Sequence, residues 1–349
     1  MSPDENPPIF IFKTIRLNPG VTKINFFCCI MFSVLTLFGS AGINGLHLLI
    51  LLDRNYYNVL QDNAGSMNTL ILVIQSIVTV TLGIPYGYIG DRFGRRTLIL
   101  IGAASLLLGS LLIPLQTTIF PGFVAAFLFV ASAAAAFAGV PLLADYVADE
   151  SRGKAFAFAG IMSGLAILIP NLLTKVFFYA NFSLGLCYSI FGISSFAGLL
   201  LNNLGLKKGT VRRKEQNKPK EEEISFLVRM KEAIQVFKSN RWLQIGLTLQ
   251  AFAGSDFGIF MSFLTLYVQY LFPTGASVDG KIIVNNLQSV MIVMMMISMP
   301  LYGYLLDKKN VLIHLCMLSL GGGIAGLAFI AISTQTVIFT LYIGAFVFG

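Results

Sequence analysis

An acidic side chain within an apolar segment is the first candidate for chemistry in this sequence. Asp256 lies near the middle of an apolar run over residues 243–272, which places it near the midplane of a bilayer if the run is a helix. A charge at that depth costs about 2.5 to 3.5 kcal/mol on insertion scales, so Asp256 is a candidate for proton exchange or for contact with a cationic or hydrogen-bonding substrate. The two glycines of the surrounding AGSDFG would let the helix bend. The alternative is a structural aspartate that is satisfied by Ser255, Gln250 or another helix.

Polar residues within other apolar runs form a second group of candidates. Asn44 and His47 lie one helical turn apart and so share a helix face, and Gln75 and Asn171 are candidates to face the same space. The pKa of histidine suits proton exchange, but a single histidine near the end of a span is also a common packing residue. The predicted substrate or proton path comprises Asp256, Asn44, His47, Gln75, Asn171 and Gln250.

The composition sets the environment in which these residues must work. Hydrophobic residues make up 56% of the 349 residues, charged residues only 11%, and the mean hydropathy is +0.79. Such a chain cannot cover a soluble surface with charge, so it is predicted to be an integral membrane protein. The sequence contains no nucleophile–base pair, metal-ligand spacing or phosphate-binding glycine loop, and we therefore expect neither an enzyme nor a metal site nor a cofactor.

Ten apolar runs are near or above the roughly 20 residues that a helix needs to cross the hydrocarbon layer. They are apolar on all sides rather than alternating, which favours helices over a membrane barrel. We therefore predict an all-α integral membrane fold. The predicted spans cover residues 24–52, 66–89, 97–116, 121–145, 155–179, 182–205, 243–272, 284–306, 309–332 and 335–349.

The positions of the basic residues predict the orientation of these spans. With the amino terminus in the cytoplasm, the cytoplasmic segments hold all of the 24 Lys and Arg residues except Arg54, Lys175 and Lys281. Topogenesis and anionic lipid account for the net charge of +8, so nucleic acid is not an expected partner. Lys175 is expected to extend its amine to the near membrane surface. The sequence does not distinguish a plasma membrane from an organelle membrane.

A charged turn occurs twice and indicates an internal repeat. YGYIGDRFGRR, beginning at Tyr86, returns as YGYLLDKK, beginning at Tyr302, and the aligned residues keep one constant offset. Each copy follows the second span of its half, so we predict two six-helix halves, at residues 24–205 and 242–349. The same offset places Gly349 within the fourth span of the second half. We therefore expect a fragment of a longer protein, in preference to a truncated product.

Polar segments precede and separate the predicted halves. Residues 1–23 are predicted to be a cytoplasmic amino-terminal segment, and residues 206–241 a cytoplasmic linker. In the second part of the linker, apolar residues recur at helical spacing from Phe226 to Phe237, which predicts an amphipathic helix at the membrane surface. A calmodulin target or a phosphoregulated segment is the alternative for this stretch.

The first copy of the turn resembles the signature of the major facilitator superfamily, which is a glycine, an acidic-basic pair, a second glycine and two basic residues. The matching residues are Gly87, Asp91, Arg92, Gly94, Arg95 and Arg96. A second feature similar to the family follows the fourth span, where Asp145 precedes Arg152 and Gly153. The second copy of the turn keeps Asp307 and Lys308. The resemblance implies the major facilitator fold, with a substrate path between the halves.

The signature turn is also expected to have a conformational role. A connection this short must reverse two helices, so Gly87 and Gly94 are expected to allow close backbone approach and positive φ. The resemblance implies that Asp91 meets a helix amino terminus of the other half and bridges to basic groups. These contacts would form a latch that stabilises the outward-facing state. The alternative is that the basic residues only set topology.

These observations predict a secondary or facilitative transporter that moves a small organic solute by alternating access, with protons as the candidate coupling ion. The predicted fourth span lacks the arginine, and the fifth lacks the Gly-Pro signature, that proton antiporters of the family usually carry. A symporter or a uniporter is therefore favoured. A transport-inactive membrane receptor or scaffold is the alternative. We expect the protein to be a monomer in the lipid bilayer.

Overall fold

A computed structural model describes residues 9–53, 56–116, 122–138, 142–206, 226–241 and 278–306, together with isolated residues between 244 and 343. Helices make up most of this part of the chain. They are α1 (Lys23–Leu52), α2 (Gln61–Phe93), α3 (Arg95–Leu112), α4 (Val124–Ala138), α5 (Leu142–Tyr146), α6 (Arg152–Tyr179), α7 (Leu184–Gly205), α8 (Phe226–Ser239) and α9 (Val278–Leu306). Two single 3₁₀ turns, Ile113–Leu115 and Asp149–Ser151, follow α3 and precede α6.

Five helical segments among the described residues are long and apolar enough to cross a membrane. They are Lys23–Leu52, Gly65–Gly83, Arg95–Leu115, Asp149–Tyr179 and Leu184–Gly205. Val124–Phe137 and Asn286–Ser298 are shorter apolar helices. The predicted spans at 243–272, 309–332 and 335–349 lie outside the described residues, apart from isolated positions. The all-α membrane class is confirmed, whereas the count of ten spans stays a prediction.

The fourth predicted span, 121–145, contains the helices α4 and α5. Residues 139–141 between them lie outside the described residues.

The segment before α1 contains a two-stranded hairpin that the sequence analysis did not predict. Strands β1 (Phe10–Ile11) and β2 (Ile15–Arg16) pair antiparallel, and the Thr14 amide donates to the Ile11 carbonyl at 3.1 Å. Three residues lie between the paired Ile11 and Ile15, and the first two, Phe12 and Lys13, have φ values of 50° and 59°, as the central residues of a type I′ turn require. The hairpin leads into α1, whose N-cap Thr22 forms a reciprocal capping box with Asn25.

Small residues let the first seven helices pack closely. The helix α7 packs against α1 and α3, α6 packs against α1, and α4 packs against α2 and α3. A side chain on Gly42 of α1 would overlap the ring of Phe191 on α7, and one on Gly192 would overlap Ser110 of α3. Close contact through glycine is typical of membrane helices, where apolar burial alone does not drive association.

The helices α6 and α9 pack antiparallel to each other. Near the end of α6, the Lys175 amine donates to the Asn286 side chain near the beginning of α9. Eleven residues earlier on α6, a Cβ on Gly164 would lie 2.9 Å from the sulfur of Met296, which is ten residues later on α9. As a result, α9 runs toward the end of the bundle that carries residues 86–96, and α2 runs in the same direction. We call this the signature end, and the opposite one the far end.

Candidate functional site

The signature turn joins α2 to α3 through a single residue. Gly94 ends α2, begins α3 and has a φ of +93°, a backbone conformation that L side chains rarely adopt. The backbone geometry of Gly94 therefore matches the expectation of positive φ at this position.

At Gly87 the structure differs from the expectation of close backbone approach and positive φ. It lies within α2, nearly two turns before the helix ends, and a Cβ at this position would meet no described atom within 4 Å. The predicted close approach belongs instead to Gly90, which is buried and whose Cβ would lie 3.2 Å from a methyl group of Leu98 on α3. The reversal occurs within one residue, so a glycine nearly two turns back does not take part in it.

An ion pair connects the signature turn to the segment that follows the fourth span. The Arg95 guanidinium, at the first position of α3, contacts the Asp145 carboxylate of α5, and each side chain is only 17% exposed. A charge that is largely removed from water depends on its partner, because the remaining solvent cannot replace the lost interaction. Of the residues predicted for the latch, Arg95 and Asp145 are thus brought into direct contact.

The neighbouring arginines of the turn have different surroundings. Arg92 is exposed, donates to the Tyr88 hydroxyl at 3.0 Å and lies 5.7 Å from the centre of the Phe93 ring. Asn203, near the end of α7, donates to the carbonyl oxygen of Arg96 at 3.4 Å. The backbone carbonyl of Arg96 therefore links the beginning of α3 to α7 by a hydrogen bond.

Asp91 itself lies in the last turn of α2, and the structure does not describe its side chain. Its proposed partner in the second half is therefore untested, and Asp307 and Lys308 also lie outside the described residues. Arg152 and Gly153 begin α6, where Arg152 pairs at 2.7 Å with Asp149, an acid of its own turn that is 87% exposed. A pair this exposed contributes little stability.

A polar seam runs between α6 and α9 toward the far end. The Lys175 amine lies 3.1 Å from the side-chain oxygen of Asn286 and is partly buried. Asn171 and Thr174 on α6 are 7% and 6% exposed, and Gln288 on α9 is 9% exposed. Of the predicted path residues whose side chains are described, Asn171 is the most buried, and it lies one turn from Lys175.

The remaining path candidates lie in separate places. Asn44 is half-buried on α1, which packs against α6, and Gln75 is half-buried on α2. His47 is part of α1, but its side chain is not described. Asp256 and Gln250 lie outside the described residues, so their role stays a prediction.

Two features of the site were not predicted from the sequence. Lys175 was expected to extend its amine to the membrane surface, but the amine donates a hydrogen bond to Asn286 on α9 instead. Asn286 next to an apolar stretch is the only sequence signal for this contact, and nothing in the sequence alone indicates the partner. The amino-terminal hairpin bonds to residues near Asp145. Apolar and polar residues alternate in it only over Ile15, Arg16 and Leu17, which is too short a pattern to predict a strand.

The apolar helices, the one-residue signature turn and the antiparallel packing of α6 on α9 define a helical integral membrane protein. Comparison with known proteins identifies its family. The model of the Major Facilitator Superfamily matches residues 25–349, and the chain therefore belongs to this superfamily.

Relatives and solved structures agree with this assignment. The chain is 28% identical over 132 residues to the inner membrane transport protein YajR of Escherichia coli (strain K12), which is 38% of this chain and 29% of YajR. It is 25% identical over 157 residues to the uncharacterized transporter BU466 of Buchnera aphidicola subsp. Acyrthosiphon pisum (strain APS), 45% of this chain and 39% of that protein. The matches thus span less than half of these relatives' length.

The fold is similar to that of solved transporters. A partially occluded, inward-open structure of the xylose transporter XylE from E. coli superposes with a TM-score of 0.59 at 14% identity, covering 93% of this chain and 84% of XylE. A crystal structure of a point mutant of the nucleoside transporter NupG gives a TM-score of 0.61 at 16% identity, covering 93% of this chain and 79% of NupG. At such identities the likeness concerns the fold.

Proposed function

We propose that this chain is part of a secondary or facilitative transporter that carries a small organic solute across a membrane by alternating access. The observation that supports this most directly is the seam between α6 and α9. It joins a helix of the first predicted half to a helix of the second, with the Lys175–Asn286 contact at its far end. At the signature end, we propose that the Arg95–Asp145 pair, which lies within the first half, holds the turn that docks on the second half in the outward-facing state.

The chemistry of the seam suits a contact that must break and re-form. Lys175 and Asn286 exchange one hydrogen bond for bonds to water when the helices separate, so breaking this contact costs only about 1.5 to 3 kcal/mol. The packing of Gly164 against Met296 adds to the cost of separating the two helices. With the far end closed by this contact, the substrate path opens toward the signature end, which we assign to the cytoplasm.

A substrate path lined by amides would suit a polar, hydrogen-bonding solute. The candidate path residues Asn44, Gln75 and Asn171 offer both donors and acceptors. XylE and NupG are named for the transport of xylose and nucleosides, which are solutes of this kind. We propose a hydroxyl-bearing organic solute, with Asp256 as the residue that would couple its movement to protons.

Uptake into liposomes tests the proposed activity. The full-length open reading frame, extended past Gly349 where it continues, is reconstituted and given a panel of sugars, nucleosides and amino acids with and without a proton gradient. Gradient-driven uptake that is lost in Asp256→Asn supports a symporter, and gradient-independent uptake supports a uniporter. Binding of a panel solute without net flux would favour the receptor or scaffold and refute transport.

Cross-linking tests the role of the seam. Cysteines replace Lys175 and Asn286 in a variant that lacks the native cysteines, and a short, cleavable bis-methanethiosulfonate joins them. Flux should stop on cross-linking and return on reduction. The matched control keeps Cys28 on α1 and joins it to a cysteine that replaces Asn202 on α7, whose side chain lies 2.7 Å from the Cys28 carbonyl, so that both positions belong to the first seven helices. Unchanged flux after complete 175–286 cross-linking would refute a gating role.

A further inference from the structure

The amino-terminal hairpin continues into a direct backbone contact with the segment that carries Asp145. Leu17 forms an isolated antiparallel bridge with Val147. The Asn18 amide donates to the Tyr146 carbonyl at 3.0 Å, and the Ala148 amide donates to the Arg16 carbonyl at 3.0 Å. The chain after β2 therefore lies alongside the α5–α6 connection as a short added strand.

Side chains reinforce the same contact. The Asn18 side-chain amide donates to the backbone carbonyl of Asp145 at 2.9 Å. The Arg16 amide donates to the Ser151 hydroxyl at 3.1 Å, and the Arg16 guanidinium contacts Glu150 at 2.9 Å. Every one of these partners lies within residues 145–151.

The hairpin is itself firmly held. Ile11, Ile15 and Leu17 are each 3% exposed and Val21 is fully buried, and all four belong to one apolar cluster with Phe26 and Tyr146. Burying four such side chains contributes several kcal/mol, about 1.5 to 3 kcal/mol each. The hairpin is thus anchored to the helices by its buried side chains. Its hydrogen bonds therefore restrict the position of residues 145–151.

We propose that residues 9–21 position the latch: they hold the backbone of Asp145 so that its carboxylate meets Arg95. Asn18 is the positioning residue, because its side chain bonds to the carbonyl of Asp145 itself. The inference rests on the proposed latch role of the Arg95–Asp145 pair. The residues that provide this support, 9–21, lie before the signature in the sequence and before the first predicted span.

The test measures the conformational balance through a cysteine at Thr174, a buried residue of the seam, in a variant that lacks the four native cysteines. The signature turn is expected to dock on the second half only when the far end is open, and Asp145 holds this turn through Arg95. A turn that is held less firmly should dock less well, which shifts the protein toward the state that is closed at the far end, so maleimide labelling of this cysteine in liposomes should slow. For Asn18→Ala we expect a labelling rate about three- to tenfold lower, the effect of one hydrogen bond. Asn18→Asp, which keeps the size but lacks the donor, replaces Asn18→Ala if the latter fails to fold.

The matched control is Asn202→Ala. Asn202 also donates its side-chain amide to a backbone carbonyl, that of Cys28 at 2.7 Å, but it lies on α7, away from residues 145–151. The labelling rate of the Asn202→Ala variant should stay within about twofold of the parent rate, because the Asn202 side chain bonds to no residue of the latch. In the Asp145→Asn background the latch is already broken, so Asn18→Ala should then have no additional effect.

The outcomes separate this inference from the proposed function. If Asp145→Asn slows labelling and Asn18→Ala does not, the latch stands and the positioning role is overturned. An equal effect of Asn18→Ala in both backgrounds also overturns it, because the residue would then act independently of Asp145. If Asp145→Asn itself leaves the rate unchanged, the latch role fails and this inference fails with it.

Discussion

The first prediction concerns the contribution of the Arg95–Asp145 ion pair to the stability of the fold. This contribution should lie between those of fully exposed and fully buried ion pairs. Fully exposed ion pairs contribute about 0.2 to 1 kcal/mol, whereas removing one partner of a buried pair costs about 3 to 5 kcal/mol. Both side chains here are 17% exposed, which is closer to the buried limit. We therefore expect Asp145→Asn and Arg95→Gln each to lower the free energy of unfolding by about 2.5 to 3 kcal/mol.

A double-mutant cycle measures this interaction without the other contacts of either residue. Parent, both single variants and the double variant are unfolded reversibly in mixed micelles with a rising fraction of SDS, and circular dichroism follows the helix content. The double variant should lose little more than either single one, with a coupling energy of about 2 kcal/mol.

Glu150→Gln provides the matched control. Glu150 pairs with Arg16, but these side chains are 62% and 48% exposed, so its removal should cost under about 1 kcal/mol. A coupling energy for Arg95 and Asp145 below about 0.5 kcal/mol, the scatter of independent sites, would refute the reasoning from burial.

Three further predictions concern the hairpin, the helix contacts and a loop. Lys13→Gly should raise stability by about 0.5 to 1 kcal/mol in the same unfolding assay, because Lys13 has a φ of 59°, while Thr14→Gly should not. Gly192→Ala should cost about 1 to 3 kcal/mol, since its Cβ would overlap Ser110, whereas Gly87→Ala, whose Cβ would meet no described atom within 4 Å, should be neutral or stabilising. Burial raises the pKa of the Tyr57 phenol, which lies between α1 and α2 and donates to the Ile113 carbonyl at 2.8 Å. Because the folded pKa exceeds the unfolded value, stability should fall as pH rises above about 10, and the slope should be smaller in Tyr57→Phe, as thermal unfolding at about pH 9 to 11 would show.

The sequence was sufficient for the features that follow from local chemistry. Apolar length predicted the five membrane-crossing helical segments found between Lys23 and Gly205, because the bilayer sets how long an apolar run must be. The reversal at Gly94 was also predictable, since a turn of one residue between two helices requires a conformation that glycine adopts readily. These expectations depend on neighbours in the chain and need no knowledge of the packing.

Contacts between distant segments were not predictable in the same way. Lys175 and Asn286 are 111 residues apart, and the rotation of each helix about its axis decides whether they meet. The same holds for Asn18 and Asp145, which are 127 residues apart. Gly87 shows the converse: a residue that belongs to the signature by sequence lies too early in α2 to shape the turn.

The helix α6 links the contacts that the proposed mechanism requires. Its first turn follows Ser151, which bonds to the hairpin, Gly164 in its middle faces Met296, and Lys175 near its end bonds to α9. A helix of 28 residues spans about 42 Å, so a small tilt about the middle separates the contact at one end while it tightens the other. Pro170 lies between Gly164 and Lys175 and removes one backbone hydrogen bond, which gives the far end a place to bend. A hairpin that holds the signature end of α6 would therefore influence the Lys175–Asn286 contact without touching it.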